Sequence, residues 1–446
     1  MIYVLAEAGK NIKNVVEHKS MNYNDAVAYI HSASKFGSKL GLANITKLLD
    51  LLDNPHKDLK FIHVAGTNGK GSTCSYIAHI LHSSGYKTGL FISPYVEAFG
   101  ERIQVDFENI DDESLIVNVQ KVKDNIDIML AQGYNHPTEF EIDTAIAMLY
   151  FKEKACDVVV LEVGLGGRLD STNVISSPLA TVICTIEKDH TAILGDTLEK
   201  IAYEKAGIIK HDSPVVVYGG NEQCTYDVIE AQANKIKAPY SIVNFNEISN
   251  IRYNEYCYTF DFEKYKDLMI NMFGDYQIKN ACTAIKAIEA SSLKVSDNAI
   301  RTGLYNTKWP GRLEVLSRNP LIICDGAHNP EGIRSLKNTI VKYFPQKRKI
   351  FVMAVMRNKE YEKMIEDIFP LADIAIAVRP MYDRALELEV LQQTIQKYCK
   401  NTYTFDKIDD GLDYAVSQAD ENTIICTFGS LYYIADVKNY IRKMGH

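Results

Sequence analysis

Among its 446 residues the chain has a single tryptophan, and its nine cysteines form no Cys-x-x-Cys pair. Without such a pair, zinc-ribbon and thioredoxin-like redox readings have no support. The cysteines are scattered, and several sit in apolar runs such as TVICTI (181–186) and LIICDGA (321–327). Buried free thiols are therefore expected, in keeping with a reducing cytosol. A basic excess is also missing: 49 Lys and Arg face 57 Asp and Glu, a net charge of −8. That balance argues against a nucleic-acid partner, so basic contacts to an anionic substrate must be local. No apolar run approaches the roughly 20 residues of a membrane span. Residues 1–20 lack the apolar core and cleavage site of a signal peptide. The expectation is a cytoplasmic protein with no membrane partner. There is no repeat and no low-complexity tract.

What is present is alternation. Short β-branched runs at 61–66, 87–93, 157–164, 179–186, 213–219, 320–326, 349–356, 374–380 and 422–430 read as strands. Helical patterns lie between them, as at 74–85 and 277–292. This order predicts α/β architecture with largely parallel, doubly covered sheets. Residues 235–273 are aromatic and alternating, and read as antiparallel hairpins at a sheet edge. The turn Trp309-Pro310-Gly311 reads as a domain hinge. The expected division is an N-terminal P-loop ATPase domain over 1–308, with a mostly parallel sheet, and a smaller Rossmann-like α/β domain over 309–446.

One stretch carries the chemistry. FIHVAGTNGKGST (61–73) leads from a strand through a glycine-rich turn into a helix. Glycines let backbone N–H groups face a phosphate with no Cβ in the way, and the helix N-terminus adds partial positive charge. Asn68, Gly69, Lys70, Gly71, Ser72 and Thr73 would line the ATP phosphates. Lys70 would reach the β- and γ-phosphates, and Ser72 or Thr73 would hold Mg²⁺. The strict pattern G-x-x-x-x-G-K-[ST] is not met, since Val64 stands at its first glycine and Gly71 follows the lysine.

The variant Gly-Thr-Asn-Gly-Lys-Gly-Ser resembles the loop of the Mur ligase superfamily. Further motifs, in the same order, resemble its folylpolyglutamate synthase family, whose members are often dihydrofolate synthases as well. They are SPYVEAFGERIQVD (93–106), PTEFEIDTAIAMLYF (137–151), VVVLEVGLGGRLDSTN (158–173), TIEKDHTAILG (185–195), YEKAGIIK (203–210), YQIKNACTAIKAI (276–288), WPGRLEV (309–315), CDGAHNPEG (324–332) and TFGSLYYIADV (427–437). The resemblance spans Met21 to the C-terminus. Tyr95 and the pair Glu187-Lys188 depart from it, at positions where the family commonly has His and apolar residues.

The resemblance implies a set of roles. Ser93, Glu141 and His190 would bind Mg²⁺, of which two are expected. Lys205 would be carbamylated, giving an anion that holds the second ion. Asn280 and Arg312 would contact the nucleotide, and Asp325 both the nucleotide and the incoming amine. His328 would orient that amine and take its proton. Leu40, Gly41, Arg168 and Ser430 would line the substrate path. The implied reaction joins L-glutamate to a folate, or to dihydropteroate, at the expense of ATP through an acyl phosphate, with closure at the hinge near Trp309. A monomer is expected. Three alternatives stand beside this reading: another Mur-type ligase, a small-molecule kinase, and a non-catalytic nucleotide switch. A UDP-binding domain ahead of the phosphate loop has no room before residue 66. The C-terminal motifs argue against the other two.

Overall fold

The computed structural model describes residues 21–37, 41–253 and 257–444. Leu40 and residues 1–20 lie outside them. Two α/β units are seen. The first is built on an eight-stranded sheet ordered β4-β3-β2-β5-β1-β6-β7-β8. Its strands are β1 (Phe61–Ala65), β2 (Thr88–Phe91), β3 (Ile103–Val105), β4 (Glu108–Asn109), β5 (Val158–Glu162), β6 (Ala180–Ile183), β7 (Val215–Val217) and β8 (Tyr240–Ile242). The six from β2 to β8 across the sheet run parallel, and β3 and β4 add an antiparallel edge.

Both faces of the parallel part are covered, so its strands are apolar on both sides. Period-two alternation divides them between two cores. Ile62, Val64, Val158 and Val160 join one cluster, while Phe61, Val159 and Leu161 join the other. Among the described residues no helix is long and apolar enough to cross a membrane.

All nine strands read from sequence are present, trimmed at their ends. The aromatic region differs from its reading. β8 extends the large sheet in parallel, whereas β9 (Ile248–Tyr253), β10 (Tyr258–Phe262) and β11 (Tyr265–Ile270) form a separate antiparallel sheet. Its buried residues Tyr258, Phe260, Phe262 and Leu268 pack into the core with Tyr76 and Ile285. Alternation revealed the pairing type but could not say which sheet each strand joins.

The second unit carries a sheet ordered β12-β13-β17-β14-β15-β16. These strands are β12 (Glu314–Arg318), β13 (Leu321–Cys324), β14 (Arg348–Met353), β15 (Ile374–Val378), β16 (Thr402–Phe405) and β17 (Thr423–Phe428). All are parallel except the β12–β13 pair. Residues 307–313 join the units, between the helix Asp297–Asn306 and β12. Trp309 rests on the phosphate-loop helix: a Cβ on Gly71 would fall 2.4 Å from its ring. The Ser75 hydroxyl donates to the Lys308 carbonyl at 2.9 Å. This connection is thus packed on the loop's own helix.

Candidate active site

The loops after β1, β2, β5, β6 and β13 open into one cavity of about 1030 Å³ between the two units. Loops beyond the C-terminal ends of strands are where open α/β sheets place ligand groups. After β1, Gly69 takes φ 80° and caps the helix Lys70–Ser83. A side chain there would also strike Asn280, whose Oδ1 lies 2.9 Å from the Cβ position. Only glycine satisfies both demands. The loop is pinned from β6: Thr67 N–H donates to the Thr185 carbonyl at 2.6 Å, and Asn68 N–H donates to Thr185 Oγ1 at 3.0 Å. Lys70 Nζ donates to the Thr67 carbonyl at 3.3 Å and lies 4.0 Å from Glu162 Oε1.

Glu162 ends β5 and is buried. Its Oε2 accepts the Ser93 N–H at 3.0 Å. Burial raises its pKa, and Lys70 opposes that shift. The sequence reading put the acidic metal ligand at Glu141, which lines the cavity. That carboxylate belongs to a capping box. Its Oε2 accepts the Thr138 N–H at 2.8 Å and the Thr138 hydroxyl at 3.0 Å, closing the start of the helix Glu139–Glu153. The carboxylate beside Ser93 and Lys70 is Glu162. It was passed over as one polar letter in VVVLEVG. The available signal was a lone acid at the end of a strand otherwise too apolar to hold one.

Among the described residues no three His, Cys, Asp or Glu side chains gather closely enough to form a ready metal cage. Mg²⁺ rarely requires one, because it keeps waters and takes one or two carboxylates plus phosphate oxygens. Glu162, Ser93 and Ser72, all lining the cavity, fit an ion of that kind. His190 also lines it, in a left-handed conformation at φ 50°. Lys205 lines it too, yet is 3 % exposed. Burial first, and the Lys70 charge second, lower its pKa to about 7.

Three expected site residues point elsewhere. Thr73 Oγ1 accepts a hydrogen bond from Cys184 Sγ at 3.5 Å inside the core, so Ser72 is the hydroxyl at the cavity. Arg168 Nη2 is 2.9 Å from Glu204 Oε1, and its guanidinium lies 5.6 Å from the Tyr203 ring. Ser430 Oγ accepts the Tyr432 N–H at 3.2 Å, and it is Leu431 and Tyr432 that line the cavity. Gly41 lines it as expected.

From the second unit come Arg312, Asp325 and His328. Asp325 accepts the Leu313 N–H at 2.8 Å and the Ala327 N–H at 2.7 Å, so it ties the segment joining the units to the loop after β13. His328 Nδ1 lies 2.8 Å from the Gly326 carbonyl and must donate to it, leaving the Nε2 lone pair free to accept. Burial and the nearby Lys359 push its pKa well down. It stays neutral at pH 7, suited to orient an ammonium group but too weak a base to keep its proton.

Two further walls complete the cavity. The helices Asp275–Ala290 and Pro330–Tyr343 face each other across the cavity, joined by Lys342 Nζ to Asp275 Oδ2 at 2.6 Å. At the other end, Phe140 lies over Gly164, where a Cβ would fall 2.5 Å from its ring. Arg102 sits 5.3 Å over the Tyr95 ring, with Nη1 3.4 Å from Asp143 Oδ2. Neither Asp143 oxygen has a hydrogen-bond partner. Burial raises its pKa to about 7 against the pull of Arg102. In the unfolded chain it would titrate near about 4. Between those values the folded state holds a proton that the unfolded state has lost, so stability falls as pH rises through the window. Asp143→Asn abolishes that titration. Its melting temperature relative to wild type should therefore climb from pH 5 to pH 7.5, by an amount equivalent to a few kcal/mol at most, of order 1.4 per pKa unit. An offset that stays constant between the two pH values would contradict the assignment.

Comparison with known proteins agrees with this geometry. The Mur ligase middle domain matches residues 64–288, and the Mur ligase glutamate ligase domain matches residues 311–431. The chain is 37% identical over 430 residues to a dihydrofolate synthase/folylpolyglutamate synthase of Bacillus subtilis, covering 94% of this chain and 99% of the relative. The Mycobacterium tuberculosis folylpolyglutamate synthase complexed with ADP superposes with a TM-score of 0.87 at 26% identity, covering 94% and 99% of the two chains. Escherichia coli FolC in complex with DHPP and ADP gives 0.84 at 28% identity, covering 94% and 98%.

Proposed function

Since the chain belongs to the Mur ligase superfamily, in its folylpolyglutamate synthase/dihydrofolate synthase family, we propose that its cavity joins L-glutamate to folates with ATP. The observation that carries this reading is the meeting of the phosphate loop with the Arg312 and Asp325–Asn329 elements in one cavity. The second wall meets the nucleotide as well; what it adds for an amine acceptor is His328, whose Nε2 is free to accept.

The nucleoside occupies the cleft between the two facing helices, with its phosphates on residues 66–72. The folate lies at the Phe140 and Arg102 end with its carboxylate toward Lys70. That carboxylate oxygen attacks the γ-phosphorus, the bond to ADP breaks, and an acyl phosphate forms. The glutamate nitrogen then attacks the acyl carbon, a C–N bond forms, phosphate leaves, and the nitrogen gives its extra proton to solvent or phosphate. Catalysis of the first step is mostly positioning and charge neutralisation, supplied by Lys70, Arg312 and backbone N–H groups. Glu162, Ser93 and Ser72 would hold Mg²⁺, which would supply further charge neutralisation, and Lys205, if carbamylated, would offer it an additional anionic ligand. His328 Nε2 accepts from the glutamate ammonium before it is deprotonated. One chain furnishes both walls, which supports an enzyme that works as a monomer.

Phosphate release from ATP should require both a folate, or dihydropteroate, and glutamate. Release without glutamate at the full rate would favour a kinase or a nucleotide switch. Comparing dihydropteroate with reduced folates separates synthase from polyglutamylating activity.

A further inference from the structure

Glu187 stands against the phosphate loop. Its backbone is clipped to Thr67: N–H donates to Thr67 Oγ1, and that hydroxyl donates to its carbonyl, both at 3.1 Å. Its carboxylate Oε2 accepts the Asn68 Nδ2–H at 2.8 Å. The other end of the same amide, Asn68 Oδ1, accepts from Asn329 Nδ2 in the second unit at 3.2 Å. Asn329 Oδ1 in turn accepts the Gly332 N–H at 2.8 Å, as N-cap of the helix Pro330–Tyr343.

The direction of this chain is fixed at both ends. An ionised carboxylate can only accept, so above about pH 7, to which burial and the Glu331 charge raise the Glu187 pKa, it draws the Asn68 amino group toward itself and turns Oδ1 toward the second unit. A helix N–H can only donate, so it takes the Asn329 oxygen and leaves its amino group for Asn68. The line Gly332 → Asn329 → Asn68 → Glu187 has no reversed member. Asn329 Nδ2 also lies 3.5 Å from Asp189 Oδ2, and Lys359 Nζ lies 3.6 Å from Asp189 Oδ1, on the same seam.

The geometry points to Glu187 as a positioning residue: by orienting Asn68 it docks the amine-side loop, with His328, onto the phosphate loop. This rests on the functional reading above and adds a coupling to it. The acyl phosphate forms on the Asn68 side, and the amine arrives on the Asn329 side. Losing the link leaves the first step intact and lets water compete with glutamate for the intermediate.

The test compares Glu187→Ala, Glu187→Gln and Asn329→Ser, with the double variant Glu187→Ala/Asn329→Ser, in the full chain. Serine keeps a helix cap but lacks the amide donor. Glutamine keeps an oxygen that can accept from Asn68. Glu187→Ala and Asn329→Ser should each raise KM for glutamate, and the phosphate released per amide bond formed, by about tenfold, the scale of a hydrogen bond to a charged group. The double variant should be no worse than the worse single, and Glu187→Gln should stay near wild type. ATP affinity, read from the single tryptophan on Gly71, should move less than about threefold, since the phosphate contacts remain. Additive effects, a glutamine variant as poor as alanine, or ATP affinity shifting as far as KM would each overturn the coupling. Wild type lacking folate- and glutamate-dependent turnover would instead refute the functional reading. The link is then read from melting temperatures of the same cycle, where additive losses overturn it.

Discussion

Lys70→Ala is expected to lose ligation by at least about 10²–10³-fold, the scale of a preorganised charge on a developing anion. Its fold should survive. Nζ touches only the Thr67 carbonyl and, at 4.0 Å, Glu162, at the cavity wall rather than in a core. Two secondary effects push the same way. Glu162 would lose the cation that opposes its raised pKa, weakening its hold on a metal. Lys205 would lose the second of the causes that lower its pKa and would carry more positive charge. Lys70→Arg should not restore the rate, because a planar fork cannot replace a compact ammonium in a glycine loop built for it. The assay is steady-state ligation beside a thermal melt. Near-normal ligation by the alanine variant, with an unchanged melt, would remove the phosphate-loop assignment.

The sequence made the strand framework legible because parallel strands buried on both faces leave long apolar runs. β1, β5 and β17 are read almost to the residue. β16 was missed because its outward positions are part-exposed and its apolar signal is diluted. β8 was taken for a hairpin because a three-residue edge strand carries too little pattern to name its partner. The site divides in the same way. Residues in contiguous motifs, such as Asn68 to Ser72, line the cavity where the motif predicts. Residues assigned by position in a motif, such as Arg168 and Ser430, do not line the cavity, because each side chain turns aside to a local partner. Glu162, Glu187, Asn329 and Asp143 owe their importance to partners some 40 to 260 residues away, contacts that no local pattern encodes. Glu141 and Glu162 both line the cavity and look alike as letters; only the Thr138 and Ser93 contacts tell them apart.

Lys205→Ala is expected to lose most turnover, and the remedy that works should identify why. Carbamate formation needs the neutral amine: R–NH₂ and CO₂ give R–NH–COO⁻ and a proton. An exposed lysine near 10.5 is neutral in only about one molecule in 3,000 at pH 7. With its pKa lowered to about 7, mainly by burial and then by Lys70, roughly half of the Lys205 amine is available at that pH. Wild-type activity should therefore rise with bicarbonate, and the requirement for added bicarbonate should be sharpest near pH 6, where most of the amine is protonated. In Lys205→Ala the anion and its carbon stem are both gone, leaving a gap beside Lys70. Formate or acetate at high concentration should enter that gap and restore part of the rate, since each brings the missing oxygen pair. Lys205→Arg should stay inactive with or without them, because it fills the gap with a fixed cation. Full activity in the arginine variant would show that the position needs only a long basic side chain. Rescue of alanine by chloride as well as by formate would show that it needs only negative charge. Rescue confined to carboxylates, together with a bicarbonate response that vanishes in Lys205→Ala, requires that the residue work as its carbamate.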